Sequence, residues 1–168
     1  MTLENINLIY HKELYKTLER CCGAKHWLNE MVNKAPYANK KELFYWADHI
    51  WENADKSCWL DAFTHHPKIG DIDILENKFA NTKQWAEGEQ SGVEKASREI
   101  LQALAKGNQA YEDKFGYIFI VCATGKSATE MLDLLNDRLP NTEEEEILIA
   151  MKEQQKITTI RLEKLLEL

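Results

Sequence analysis

Apolar side chains recur at every third or fourth position through most of this 168-residue chain, and that spacing is the period of helices laid against a core. Ile6, Ile9, Tyr10, Leu14 and Leu18 predict an amphipathic helix over Leu3 to Cys22, with Gly23 as its stop. Trp27, Leu28 and Met31 predict a second helix that ends before Ala35-Pro36. Asn39 with Glu42 three residues on has the spacing of a capping box and opens a helix carrying Leu43, Trp46, Ala47, Ile50 and Trp51. Ser57 is placed to cap a short helix with Trp59, Leu60 and Phe63. Ile74, Leu75 and Phe79 suggest a helical turn, with Trp85 anchoring the segment after it. Val93, Ala96, Ile100, Leu101 and Leu104 share one side of a helix from Glu89 to Lys106, which Gly107 is expected to stop before a short helix with Tyr111. Ser127 with Glu130, and Thr142 with Glu145, are two further capping boxes. The first opens a helix through Met131, Leu134 and Leu135; the second opens the last helix, through Ile147, Met151, Ile157, Ile160 and Leu165.

One segment breaks the pattern. Tyr117-Ile118-Phe119-Ile120-Val121-Cys122-Ala123 has strand propensity but no second segment to pair with. An extended loop in want of hydrogen bonds, or a helix forced by its surroundings, fits such a chain better than a sheet. Three prolines and seven glycines supply few turns for an all-β fold. The expected architecture is all-α: a single compact helical domain spanning residues 1–168, with about seven to nine helices given typical helix lengths.

Composition narrows the partners. A net charge of −7 with no continuous Lys/Arg stripe argues against nucleic acid. No apolar run approaches a membrane span, and no signal segment opens the chain. Cys21, Cys22, Cys58 and Cys122 form no CxxC pair, which points to reduced thiols and a cytoplasmic location. The terminal Leu166-Glu167-Leu168 is not a peroxisomal address. An acidic chain can still hold an anionic small molecule, provided an arginine supplies a local cation.

The chemistry-bearing stretch is Thr64-His65-His66-Pro67-Lys68-Ile69-Gly70-Asp71. Pro67 biases His66 away from the α region, so a helix arriving from Phe63 should end here and present an imidazole on a stiff loop. Histidine is the side chain best suited to proton exchange near neutral pH. The plain alternative is a helix-end histidine beside an exposed one. His65, His66 and Asp71, with Cys58, are conceivable metal ligands, but the regular spacing of known sites is missing, and no metal is expected. Gly125-Lys126-Ser127 resembles the tail of a phosphate loop, yet Ile120 stands where its first glycine is needed, so Ser127 reads as a cap. Glu87, Glu89 and Gln90 lie at a helix start, where the dipole alone explains the carboxylates. Arg161, between Ile160 and Leu162, reads by itself as a stem covering the core with its head in water. Periodicity does not bring these positions together.

Taken in order, the motifs do more. Trp59 to Phe63 leads into His66-Pro67-Lys68-Ile69-Gly70-Asp71, and Glu89-Gln90 comes next. Then come Tyr111-x-x-x-Phe115-Gly116-Tyr117-x-Phe119, Leu135-x-x-Arg138-Leu139-x-Asn141 and Ile157-x-x-Ile160-Arg161-Leu162. This set resembles the 2-oxo-4-hydroxy-4-carboxy-5-ureidoimidazoline (OHCU) decarboxylase family of the urate-to-allantoin pathway, over nearly the whole chain. The resemblance implies an all-helical, homodimeric carboxy-lyase that takes an anionic ureido-imidazoline to (S)-allantoin without a cofactor. It places the catalytic histidine on His66, with Pro67 shaping the pocket, and an acid-amide pair on Glu89 (catalytic) and Gln90 (substrate-binding). It places the substrate-binding arginine on Arg161 and backbone contacts to the ring on Phe119, Ile120 and Val121. Ala86 departs from the pattern, since many relatives have a serine there. His65 is not required and is treated as structural. Two readings from other classes remain: a helical interaction module without chemistry, and a metal-dependent hydrolase on His65, His66 and Asp71.

Overall fold

A computed structural model of the protein describes residues 1–66 and 90–166, with the backbone alone over 90–97. Among these residues there are eight helices and no strand: α1 Leu3–Leu8, α2 His11–Glu19, α3 Lys25–Lys34, α4 Lys40–Glu52, α5 Lys56–Thr64, α6 Gln90–Phe115, α7 Ala128–Arg138 and α8 Glu143–Leu165. The all-α expectation holds. The expected turn with Ile74, Leu75 and Phe79, and the Trp85 anchor, lie outside the described residues. Cα packing divides the chain into two units, Met1–His66 with Ile147–Leu168, and Pro67–Glu146.

In the first unit α3 packs against α2, α4 and α5. Its Trp27, Leu28 and Met31 are fully buried. Trp27, Trp51 and Tyr37 each bring one polar atom into this core, and each finds a backbone carbonyl. Trp27 Nε1 donates to Ala47 O at 3.0 Å, Trp51 Nε1 to Met151 O at 3.0 Å, and Tyr37 Oη to Met31 O at 2.6 Å. Apolar burial therefore carries no stranded donor; each such side chain is worth roughly 1.5–3 kcal/mol of transfer free energy. The Trp51 bond also ties α4 to α8, which positions the last helix.

Two local expectations need correction here. The segment from Leu3 to Cys22 is two helices, because Ile9 and Tyr10 are extended between α1 and α2. Asn7 clasps the main chain of Tyr37 from both sides, accepting from Tyr37 N at 2.9 Å and donating to Tyr37 O at 2.8 Å. That long-range pair holds α1 by a tertiary contact which periodicity does not register, and Tyr10 ends up exposed rather than on the core face. At α5 the cap is Asp55, whose carboxylate accepts from Cys58 N at 3.0 Å; the Ser57 hydroxyl donates to that same carboxylate. A carboxylate at the positive helix end outcompetes a hydroxyl two residues further on.

In the second unit Leu101, Leu104, Tyr111, Phe115, Phe119, Met131 and Leu135 form one core between α6 and α7. Gly107 does not stop a helix; α6 runs through it to Phe115. Its role is close approach, since a Cβ at Gly107 would stand 2.6 Å from Leu135 Cδ2. The actual stop is Gly116, at φ +76°, whose N–H bonds Glu112 O at 2.8 Å. Both later capping boxes form as expected, Ser127 with Glu130 and Thr142 with Glu145.

Candidate active site

The histidine pair arises from the way α5 ends. Its last turn tightens: His65 N bonds Ala62 O at 3.1 Å and His66 N bonds Phe63 O at 3.3 Å, three residues back. The helix stops at Thr64, as a proline at position 67 requires. The two imidazoles then go to different partners. His65 Nε2 lies 3.5 Å from Asp61 Oδ1, and its ring covers Gly23, where an added Cβ would come within 2.3 Å of Cγ. Asp61 also accepts from Lys25 N at 2.9 Å, at the start of α3. His65 thus packs α5 onto the start of α3, in keeping with a structural role.

His66 is half-buried and reaches α8, where its Nε2 lies 2.5 Å from Gln154 Oε1. Gln154 is almost wholly buried; its amide Nε2 donates to Thr158 Oγ1 at 3.2 Å, and that hydroxyl donates to Gln154 O at 3.0 Å. Arg161 lies seven residues beyond Gln154, so it is on the same face of α8, about 10 Å further along the axis. Its Nη1 donates to Cys21 O at 3.2 Å. No carboxylate pairs with this guanidinium among the described residues, although arginine carries five donors suited to one. Burial pushes the neighbouring thiols up, Cys21 to about 11 and Cys22 to about 12, with Arg161 pulling both the other way. Both stay neutral, so neither thiol offers Arg161 a counter-charge.

In the second unit, the β-like segment is an extended loop. Phe119 and Ile120 are buried and Val121 is half-buried. Among the described residues nothing accepts from the backbone N–H groups of Phe119, Ile120 and Val121. Such groups, in and beside a core, call for an acceptor. The segment is held from behind by Arg138, which is itself buried. Arg138 Nη1 donates to Ile120 O at 2.8 Å, and its guanidinium carbon stands 4.6 Å from the Phe119 ring centroid. Arg138 Nε and Nη2 donate to Glu146 Oε1 at 2.8 and 2.5 Å, Asn141 donates to Glu146 Oε2 at 2.8 Å, and the Tyr111 hydroxyl donates to Glu146 Oε1. Burial, then that carboxylate, pushes the Tyr111 hydroxyl pKa up.

Of the residues expected from the sequence, His66 and Arg161 come to one face of α8. Pro67, Glu89 and Asp71 lie outside the described residues, and Gln90 opens α6 with only its backbone described. No group of three His, Cys, Asp or Glu side chains is placed to hold a metal ion among the described residues. Lys126 is turned to Cys122 O at 2.8 Å and Ser127 caps α7, as expected for a cap rather than a phosphate loop. Sequence reasoning missed Gln154 and Glu146. Gln154 and Thr158 continue the buried stripe of Ile147, Ala150 and Met151, and a polar side chain at a core position was the available signal. Glu146 was hidden in the run Glu143 to Glu146, where the dipole sufficed to explain a carboxylate.

Comparison with known proteins gives a consistent set of likenesses. A family model described as OHCU decarboxylase matches residues 7–163. The uric acid degradation bifunctional protein TTL of Arabidopsis thaliana is 36% identical over 146 residues, covering 86% of this chain and 45% of its own. The chain therefore spans less than half the length of that relative. The 2-oxo-4-hydroxy-4-carboxy-5-ureidoimidazoline decarboxylase of Xenopus laevis is 25% identical over 168 residues, covering 96% of this chain and 93% of its own. A crystal structure of OHCU decarboxylase in the presence of (S)-allantoin matches with a TM-score of 0.71 at 34% identity, over 89% of this chain and 96% of that one.

Proposed function

The chain belongs to the OHCU decarboxylase family, and on that premise we propose that it removes carbon dioxide from 2-oxo-4-hydroxy-4-carboxy-5-ureidoimidazoline to yield (S)-allantoin in urate degradation. The observation that carries this reading is the meeting of His66 with α8, two turns from an Arg161 that no carboxylate partners among the described residues.

The substrate carries its carboxylate on a ring carbon beside a C=N bond. The bond to that carboxylate breaks and its electron pair forms a double bond to the neighbouring imine carbon, while the imine nitrogen takes up a proton. The ring hydroxyl then gives up its proton to become the ring carbonyl, and a proton delivered to one face of the neighbouring, ureido-bearing carbon gives a single enantiomer. The electron sink belongs to the substrate, so the reaction calls for no pyridoxal or thiamine. What the protein adds is orientation and placed charge. Arg161 takes the anionic part of the substrate in a two-bond fork. His66 handles the proton, or holds the ring hydroxyl and leaving carboxylate in line, with Pro67 keeping its loop stiff. Glu89 orients His66 or takes the ureido N–H groups, and Gln90 offers a donor and an acceptor to an amide-like ring. The backbone N–H groups of Phe119, Ile120 and Val121 donate to the ring; their lack of partners among the described residues supports that assignment. Ala86 takes the place of a serine hydroxyl and changes fine specificity.

We also infer one functional domain over residues 1–168, acting as a cytoplasmic homodimer on a small molecule, with no nucleic-acid or membrane partner. The extent of the family match, the acidic charge and the four buried cysteines, none of them in a disulfide among the described residues, support this. Among the described residues no helix is long and apolar enough to cross a membrane. The test is His66→Ala assayed on freshly generated OHCU. Loss of acid-base catalysis should slow decay about 10²–10⁴-fold; decay as fast as wild type would remove His66 from the chemistry.

A further inference from the structure

We propose that Gln154 is a positioning residue which, locked by Thr158, holds His66 as the Nε2–H tautomer and thereby makes Nδ1 the nitrogen that gains and loses the proton. The inference rests on the decarboxylase reading only for its effect on rate; the tautomer itself comes from the hydrogen-bond chain.

Thr158 sets the direction of that chain. A hydroxyl has one hydrogen, and here it goes to the main-chain oxygen of Gln154 at 3.0 Å. Toward the Gln154 side chain, 3.2 Å away, Thr158 Oγ1 must then act as acceptor. Only the amide nitrogen donates, so the NH2 group faces Thr158 and Oε1 faces His66. An amide oxygen accepts and never donates, so the imidazole atom 2.5 Å from it must carry a hydrogen. Nε2 keeps that hydrogen in the neutral ring and in the imidazolium alike. The proton that comes and goes is therefore the one on Nδ1. Burial makes the arrangement binding: Gln154 and Thr158 are 1% and 6% exposed, so no bulk water is at hand to replace a misplaced donor. Cys22, which interacts with Thr158, has its thiol pKa pushed up to about 12 by burial, so it brings no competing charge to the chain.

The experiment labels histidine with 15N and reads the ring nitrogens of His66 in the full-length protein, alongside kcat and KM on freshly generated OHCU. The wild type should show the Nε2–H form above the His66 titration. Thr158→Val keeps the shape but frees the amide to turn, and Gln154→Leu removes the acceptor. Both should lose the tautomer bias, and kcat should fall about 10–100-fold, as for other partners that orient a reacting group, with KM little changed. Gln154→Glu still accepts from Nε2–H and should retain the bias and most of kcat; it also shows whether the leucine variant fails merely by misfolding. A wild-type Nδ1–H form, or variants that leave tautomer and kcat as they were, would overturn the proposal. Full activity in His66→Ala would instead sink the reading on which the rate effect rests, while the nitrogen spectra still report the tautomer by themselves.

Discussion

Replacing Arg138 by methionine isolates the group that holds the extended segment. Met keeps most of the stem and removes the guanidinium. Four hydrogen bonds go with it: two to Glu146, one to Ile120 O and a longer one to Tyr111 at 3.4 Å. Glu146 is fully buried and is left with the Asn141 amide and the Tyr111 hydroxyl. A buried charge stripped of its counter-ion costs about 3–5 kcal/mol, far more than the pair contributes when intact, because the desolvation penalty then stands unopposed. With a urea dependence of about 2 kcal/mol per molar for a small protein, a loss of about 4 kcal/mol lowers the unfolding midpoint by about 2 M. Far-UV circular dichroism against urea reads it. Adding Glu146→Gln removes the buried charge while keeping partners for Asn141 and Tyr111, and should recover at least half of the loss. A shift equivalent to less than about 1 kcal/mol, or a double variant no better than the single one, would refute the claim that this pair is buried and mutually dependent. The same substitution releases Ile120 O, so kcat/KM on OHCU should fall even where the variant is folded.

Two other perturbations test the packing and the caps. Gly107→Ala should destabilise the fold despite a helix-propensity gain of about 1 kcal/mol, because crowding Leu135 costs about 1–3 kcal/mol; thermal unfolding reads the sign, and Leu135→Ala should relieve the penalty in a double-mutant cycle. Asp55, Glu130 and Glu145 each accept hydrogen bonds at a helix start, chiefly from the Ser57 hydroxyl, Ser127 N and Thr142 N, and these hold all three carboxyls below their ordinary range. Their folded pKa values are depressed, so the stabilisation is complete above the unfolded carboxylate pKa and is lost as pH falls through the folded one. Urea midpoints followed from neutral into acid should fall, and Ser127→Ala should flatten that fall; a midpoint independent of pH would contradict it.

Helix content, caps and the end of α5 were legible because they depend on neighbours a few residues apart: Asn39 and Ser127 cap the helices their spacing predicts. The cap of α5 was misread locally, between Ser57 and Asp55; the other misreadings turn on tertiary contacts. The break at Ile9-Tyr10, the passage of α6 through Gly107 and the burial of Glu146 are decided by Tyr37, Leu135 and Arg138 respectively, all distant in sequence except the last. A glycine that stops a helix and one that admits a neighbouring leucine look alike in one dimension. His66 and Arg161 are candidates that the pattern of motifs singles out, whereas the Gln154 partner of His66 emerges only from the folded chain, since its spacing matches an ordinary core position.

The decarboxylase assignment meets its sharpest test in a coupled assay. Urate oxidase and the hydrolase acting after it generate OHCU in the presence of this protein, and circular dichroism follows the product. Optically active (S)-allantoin should form faster than OHCU breaks down by itself, with the excess rate abolished in His66→Ala. Racemic allantoin at the spontaneous rate would contradict the assignment.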